Sequence, residues 1–345
     1  GAFASKLENK AITWEKNGNL NAGIEASLFR GKVTFTAEYY NRHTRDMLLE
    51  NPLAISTGFT GYDANVGSMR NQGFEFSGRV NIIDMPNFRW DANAMASLNR
   101  NKVTSLTSSQ DFISAGASVI EVGRPIYTFY LSKTAGVDPA TGKRLYYAYW
   151  KRGVDETGAV SNVRCDEYVT DNVSLASLSK YYMGSREPAV SGSLGSSFVI
   201  FKNIDLSFLT TWSIGGKVYD GLYSGTMNVQ YAGNNWHKNV LRRWQKPGDV
   251  TDVPMVEIGG SAPANNSALI NASYFAIKNI TLGYTFPKNW LSKMEISALR
   301  LFLTADNIAM FNHLDGMDPQ YNFTGSVSYS YTPSRAIVAG IDIQF

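Results

Sequence analysis

The side chains best suited to hold a metal are three histidines, His43, His237 and His313, and one cysteine, Cys165. None stands in an H-x-x-x-H, H-E-x-x-H or paired-cysteine spacing, so neither a zinc site nor any other metal is expected. No G-x-S-x-G elbow, phosphate-binding loop or Rossmann fingerprint occurs, so no cofactor is expected and an enzyme is not supported. The acids Glu25, Glu75 and Asp91 fall at alternating positions of extended segments rather than in a paired catalytic cleft. What remains is ring chemistry. Tyr219, Tyr223, Tyr231, Trp236 and Trp244 lie in one long polar stretch, and Tyr321, Tyr329 and Tyr331 cluster before the last apolar run. Aromatic faces beside asparagines suit stacking on sugar rings and hydrogen bonding of hydroxyls, which makes Tyr219, Tyr231, Trp236, Trp244, Tyr321 and Tyr329 candidate ligand contacts. The same rings serve equally well as loop packing or as a membrane-interface girdle.

The elements that must carry these residues show a period of two. Ile24, Ala26 and Leu28 alternate with Glu25 and Ser27, and after Arg30-Gly31-Lys32 the alternation resumes at Val33, Phe35, Ala37 and Tyr39. It recurs at 74–82, 88–98, 194–200, 204–214, 280–286, 299–305 and 337–345, with weaker runs at 126–133 and 144–150, which makes about eleven strands. Most approach the ~10 residues that cross an outer membrane at a tilt. Short connections at 30–32, 84–87, 135–143, 202–203 and 287–297 alternate with long polar ones at 48–66, 105–121, 152–183, 215–272 and 309–330. Together these features predict an all-β, antiparallel transmembrane β-barrel with short periplasmic turns and long extracellular loops. A soluble β-sandwich has shorter strands, of about 5–6 residues, and would not tolerate Glu25, Glu38, Arg79 and Asp205 unpaired in its core.

Composition agrees. The 345 residues include 30 Gly, 19 Tyr, 18 Phe and 7 Trp but only 18% charged residues, a profile of many strands, tight turns and aromatic belts. Net charge is +3 with the basic residues scattered, so no nucleic-acid partner is expected. A single cysteine excludes an intramolecular disulfide. No run reaches the roughly 20 apolar residues of a spanning helix, and the start at Gly1-Ala2-Phe3-Ala4 reads as internal to a longer chain.

Particular motifs add a resemblance. The runs Tyr39-Tyr40-Asn41-Arg42-His43-Thr44-Arg45-Asp46-Met47-Leu48 and Asn65-Val66-Gly67-Ser68-Met69-Arg70-Asn71-Gln72-Gly73-Phe74-Glu75 resemble the strand, loop and strand of SusC-like (SusC/RagA-type) TonB-dependent outer-membrane transporters. In the same order follow Gly215-Gly216-Lys217-Val218-Tyr219-Asp220, Arg243-Trp244-Gln245-Lys246-Pro247-Gly248-Asp249, Leu282-Gly283-Tyr284-Thr285-Phe286-Pro287, Asp306-Asn307 and Gly316-Met317-Asp318-Pro319. The resemblance implies that residues 1–345 are the C-terminal half of a 22-stranded barrel, with the plug domain, the TonB-contacting segment and the N-terminal strands outside this chain. It implies import of an oligomeric nutrient, a glycan favoured over a peptide, through a Gram-negative outer membrane. A SusD-like surface lipoprotein and the TonB complex would be the partners, with the lipid bilayer, the rest of the barrel and the plug around it. A siderophore or cobalamin receptor of the wider TonB-dependent class, or a secreted carbohydrate-binding module, are the alternatives. The closing alternation Ile341, Ile343, Phe345 resembles the signal by which outer-membrane barrels are recognised for assembly.

Overall fold

The computed structural model describes residues 7–106, 112–155, 158–231, 233–291, 295–314, 316–320, 322–328 and 331–345. Its dominant element is one nine-stranded antiparallel sheet. The strands are β1 (Lys16–Leu28), β2 (Val33–Pro52), β3 (Gly61–Met85), β4 (Phe88–Leu106), β5 (Val190–Ile200), β6 (Ile204–Ile214), β7 (Tyr274–Thr285), β8 (Ala298–Asn312) and β9 (Ala336–Gln344), and they neighbour one another in chain order. Two of the short turns form because the backbone accepts left-handed residues: Phe29 and Arg30 have φ of 55° and 60°, and Phe201 and Lys202 have φ of 51° and 68°. Paired positive φ values give the turn whose twist matches that of antiparallel strands.

The expected fold class stands, and its strand count is corrected. Nine of the eleven runs build the sheet. The other two belong to the loops: Thr128–Ser132 pairs with Lys180–Ser185, and Arg144–Val154 pairs with Thr134–Val137 and Val160–Thr170. Alternation reports a strand but not the sheet it joins. The connection at 135–143 is therefore a turn among the loops, and residues 107–189 form one excursion between β4 and β5. On the other side, β2 and β3 run much further than their apolar alternation and shrink the expected 48–66 loop to residues 53–60.

Register sets the two faces. Ile204, Tyr284, Leu301 and Ile341 are laterally paired in one row, and Leu206, Leu282, Leu303 and Ala339 in the next. Between them runs a row of Asp205, Gly283, Phe302 and Gly340. The apolar face stays uncovered: Leu282, Leu303, Ile337 and Ile341 are 49–70% exposed. Three polar side chains among its apolar rows, Trp90, Ser196 and Thr210, are satisfied internally, as burial in lipid favours. The Trp90 indole donates to Ser196 Oγ at 2.7 Å, Ser196 Oγ donates to the Asp91 carbonyl at 3.2 Å, and Thr210 Oγ1 donates to the Leu194 carbonyl at 3.1 Å.

The polar face is cross-linked. Asp91 accepts from Arg89 at 2.8 Å, Asn81 at 3.2 Å and Arg79 at 3.4 Å. Asp205 is held bidentately by Arg300, at 3.0 and 2.5 Å. Phe302, an apolar residue on this face, lies over Gly340, where any Cβ would overlap its ring. The buried core sits among the loops: Phe129, Leu131, Tyr146 and Val218 are 0–2% exposed, and Val66 and Val103 near the sheet's loop end pack with Ile113 and Ile120.

Candidate functional site

The loops fold back over the polar face and identify it as the inner one. Glu187, in the segment entering β5, reaches the inner side of β4. Its Oε1 accepts from Asn99 Nδ2 at 2.5 Å and from the Asn101 backbone N–H at 2.9 Å. Asn101 in turn accepts from the Ile126 N–H at 2.7 Å and donates to Asn71 Oδ1 at 2.8 Å. An amide ladder on β3 and β4 thus fastens two separate loop segments.

Above this ladder is a cavity of about 440 Å³, lined by Asn71, Asn99 and Asn101 from the wall, Tyr127, Arg186 and Glu187 from the first excursion, and Phe323 from the loop before β9. Tyr127 and Phe323 meet edge to face with ring centroids 5.8 Å apart. Tyr127 has φ of 58°, a left-handed conformation that a bulky side chain rarely adopts, held here between the Asn101–Ile126 bond and the strand beginning at Thr128. Arg186 donates to the Pro319 carbonyl at 2.6 Å, while its Nε is buried without a hydrogen-bond partner among the described residues. Burial pushes the guanidinium pKa down, opposed by Tyr274 and Asp318, yet an arginine so placed keeps its charge. A second cavity, about 410 Å³ and lined by Glu38, Glu75, Ser77, Ser97 and Ser193, continues along the inner face and shares Ser191 and Tyr274 with the first.

Burial also pushes the Glu187 carboxyl pKa up, against the lowering effect of its bonds to Asn101 and Asn99. An acid whose folded-state pKa is raised favours the folded latch below its ordinary value of about 4.3 and loses that advantage as pH rises through the folded value. The Ile126 amide should accordingly show greater exchange protection, after correction for intrinsic rates, at pH 4 than at pH 7. Glu187→Gln, which keeps the accepting oxygen, should flatten that dependence, and an unchanged pH profile in the variant would refute the latch.

The aromatic candidates are distributed differently. Tyr219 sits in a short strand, Lys217–Asp220, with its hydroxyl 2.9 Å from Ser224 Oγ. Tyr231 is 62% and Trp236 37% exposed on the loop surface. Trp244 donates to the Pro139 carbonyl at 2.9 Å and lies over Gly142, where a Cβ would overlap the indole. Tyr321 and Tyr329 lie outside the described residues. A smaller cavity of about 290 Å³ brings together Asp220, Tyr223, His237 and His313, residues remote in sequence. Among the described residues no three His, Cys, Asp or Glu side chains are arranged for a metal ion. Sequence reading missed the asparagine ladder and the Arg186-Glu187 pair. The available signals were the asparagines at 71, 99 and 101 on the polar parity of two strands and the Gly-Ser-Arg-Glu-Pro breaker run at 184–188.

An antiparallel meander with an uncovered apolar face, a cross-linked polar face, tight turns at one end and folded loops at the other is the wall of a transmembrane β-barrel. The chain belongs to the TonB dependent receptor-like, beta-barrel family, whose description matches residues 1–308. It is 26% identical to TonB-dependent receptor P39 of Formosa agariphila, over 99% of this chain and 36% of that protein. It is 27% identical to TonB-dependent receptor SusC of Bacteroides thetaiotaomicron, over 99% of this chain and 33% of the relative. Among solved structures it matches the RagAB peptide transporter with a TM-score of 0.85 and 26% identity, covering 100% of this chain and 37% of that one. The chain thus spans about a third of the length of the relatives it matches.

Proposed function

We propose that residues 1–345 form part of the wall and the loop roof of an outer-membrane barrel of a Gram-negative bacterium that imports an oligomeric nutrient. The plug, the TonB-contacting segment and the remaining strands come from chain outside these residues, and a SusD-like lipoprotein covers the loops. The observation that carries this reading is the 440 Å³ cavity on the polar face, with an asparagine floor and a Tyr127–Phe323 rim. Amides and ring edges suit the hydroxyls and ring faces of a glycan. An oligopeptide is the second reading, favoured by the likeness to a structure described as a peptide transporter. Tyr231 and Trp236, exposed on the loops, are assigned to ligand entry or to the lipoprotein surface, as are Tyr219, Tyr321 and Tyr329, while Trp244 holds the loop at Pro139. Ile341, Ile343 and Phe345, on the apolar face of the last strand and its end, are assigned as the assembly signal.

In the full-length transporter, Tyr127→Ala combined with Phe323→Ala should reduce uptake of the imported oligomer at least about tenfold, the scale expected from losing one or two stacking contacts of about 1–3 kcal/mol each. The quantity of heat-modifiable barrel in the outer membrane should stay unchanged. Growth of the wild type on oligosaccharides against growth on peptides then separates the two ligand classes. Normal uptake of both by the double variant would reject the cavity as the ligand site.

A further inference from the structure

The apolar face is not apolar along its whole length. On β1–β4, register places Ala22, Tyr39, Phe74 and Leu98 in one outward row. The next outward row toward the loops is Leu20, Asn41, Gln72 and Arg100, and the one after it is Gly18, His43, Arg70 and Lys102. Arg45 joins them, its Nε donating to His43 Nδ1 at 3.5 Å, and His43 Nε2 lies 3.3 Å from Thr104 Oγ1. Same-face residues are spaced about 7 Å along a strand, so these cations begin roughly 7–14 Å beyond the Tyr39–Phe74 ring pair.

The patch carries excess positive charge, although Arg100 also acts electrostatically on the Glu187 carboxyl. No carboxylate lies within ion-pair distance of Arg45, Arg70, Arg100 or Lys102 among the described residues, and Arg45, Arg100 and Lys102 are exposed. The acids of that edge are occupied elsewhere: Asp46 pairs with Lys16 at 2.9 Å, and Glu15 accepts from the Leu48 N–H at 2.8 Å. On the inner face, by contrast, Asp91 and Asp205 are each matched to arginines. Toward the loops, the outward positions of β6–β8 carry Trp212, Ile214, Phe275 and Phe311, so the cations are confined to one sector of the wall.

Resting on the barrel reading above, we propose that this sector binds the phosphorylated headgroup of a glycolipid in the outer leaflet. Four unpaired cations directly above a band of rings and aliphatic side chains match a molecule with phosphate above acyl chains. Arginine's planar fork suits phosphate oxygens, and juxtamembrane cations attract anionic headgroups. An acidic protein would find the charges but would leave Tyr39, Phe74 and Leu98 to the bilayer, so the lipid accounts for both halves of the patch.

The test uses the full-length transporter purified in detergent, with native mass spectrometry of retained lipid after addition of either phosphorylated lipid A or its dephosphorylated form. Wild type should retain the phosphorylated lipid at least about tenfold more than the dephosphorylated one, and inorganic phosphate at equal concentration should not displace it. Arg70→Gln/Arg100→Gln/Lys102→Gln should lose that preference while keeping a heat-modifiable band. Should the triple variant fail to fold, Arg100→Gln/Lys102→Gln, at two exposed positions, should reduce the preference at least about fivefold. Equal retention of the two lipids by wild type, or an undiminished preference in a folded variant, would overturn the lipid site and leave the barrel intact. A wild-type protein without a heat-modifiable band would overturn the barrel reading and this inference with it.

Discussion

Leu301→Arg should destabilise the bilayer-inserted transporter by about 2–4 kcal/mol, the cost of a cation on the lipid face near the midplane of a barrel. Leu301 pairs laterally with Tyr284 and Ile341 on the uncovered apolar face and is 40% exposed there. Its neighbour Arg300 points the other way and grips Asp205, with both side chains about a third exposed. Arg300→Leu leaves Asp205 single but within reach of water, so its cost should be nearer about 1 kcal/mol once solvent screening is allowed for. Equilibrium denaturation in liposomes measures both. Equal costs for the two adjacent substitutions would show that the sheet does not have one lipid face and one wet face.

Gly283→Val should cost about 1–3 kcal/mol, for a reason confined to the inner face. The Asp205–Arg300 pair bridges β6 and β8 across the intervening β7, and the residue beneath the bridge is Gly283. A Cβ there would overlap both Asp205 Oδ1 and Arg300 Nη2, so a side chain forces the ion pair apart while also crowding the strand. The coupling separates this from a general strand effect, since β-branched residues otherwise favour strands over glycine. In an Asp205→Asn/Arg300→Gln background, Gly283→Val should become neutral or stabilising. The same cost in both backgrounds would mean that the glycine is required by the backbone and not by the bridge.

The wall was legible in the sequence because its information is local. Alternation along 204–214, 299–305 and 337–345 puts Leu206, Leu301 and Ile341 at one parity and Asp205, Arg300 and Asp342 at the other, and register pairs Leu301 with Ile341 and Arg300 with Asp342. Turn chemistry marked Arg30-Gly31 and Lys202-Asn203. The loops were not legible, because their strands alternate too and their pairings are distant: Trp244 meets Pro139 across 105 positions, and Glu187 meets Asn99 across 88. The cavity shares that difficulty. Its floor is built from asparagines that read as ordinary polar-face residues, and its rim depends on a left-handed Tyr127 that no propensity would propose. The aromatic clusters at 219–244 and 321–331 drew attention to other rings, so Tyr127 and Phe323, which meet at the cavity rim, were not singled out.

The central claim is that this sheet crosses a membrane with one face in lipid and the other in water. Single cysteines at 299 to 305, in the full-length transporter with Cys165→Ser, can be tested in native outer membranes with a water-soluble thiol reagent and with lipid-borne quenchers of an attached fluorophore. Cysteines at Leu299, Leu301, Leu303 and Ala305 should be quenched from lipid and resist the soluble reagent, whereas those at Arg300, Phe302 and Thr304 should label from water, giving a strict period of two. Uniform labelling of all seven positions from water, or quenching without alternation, would contradict it.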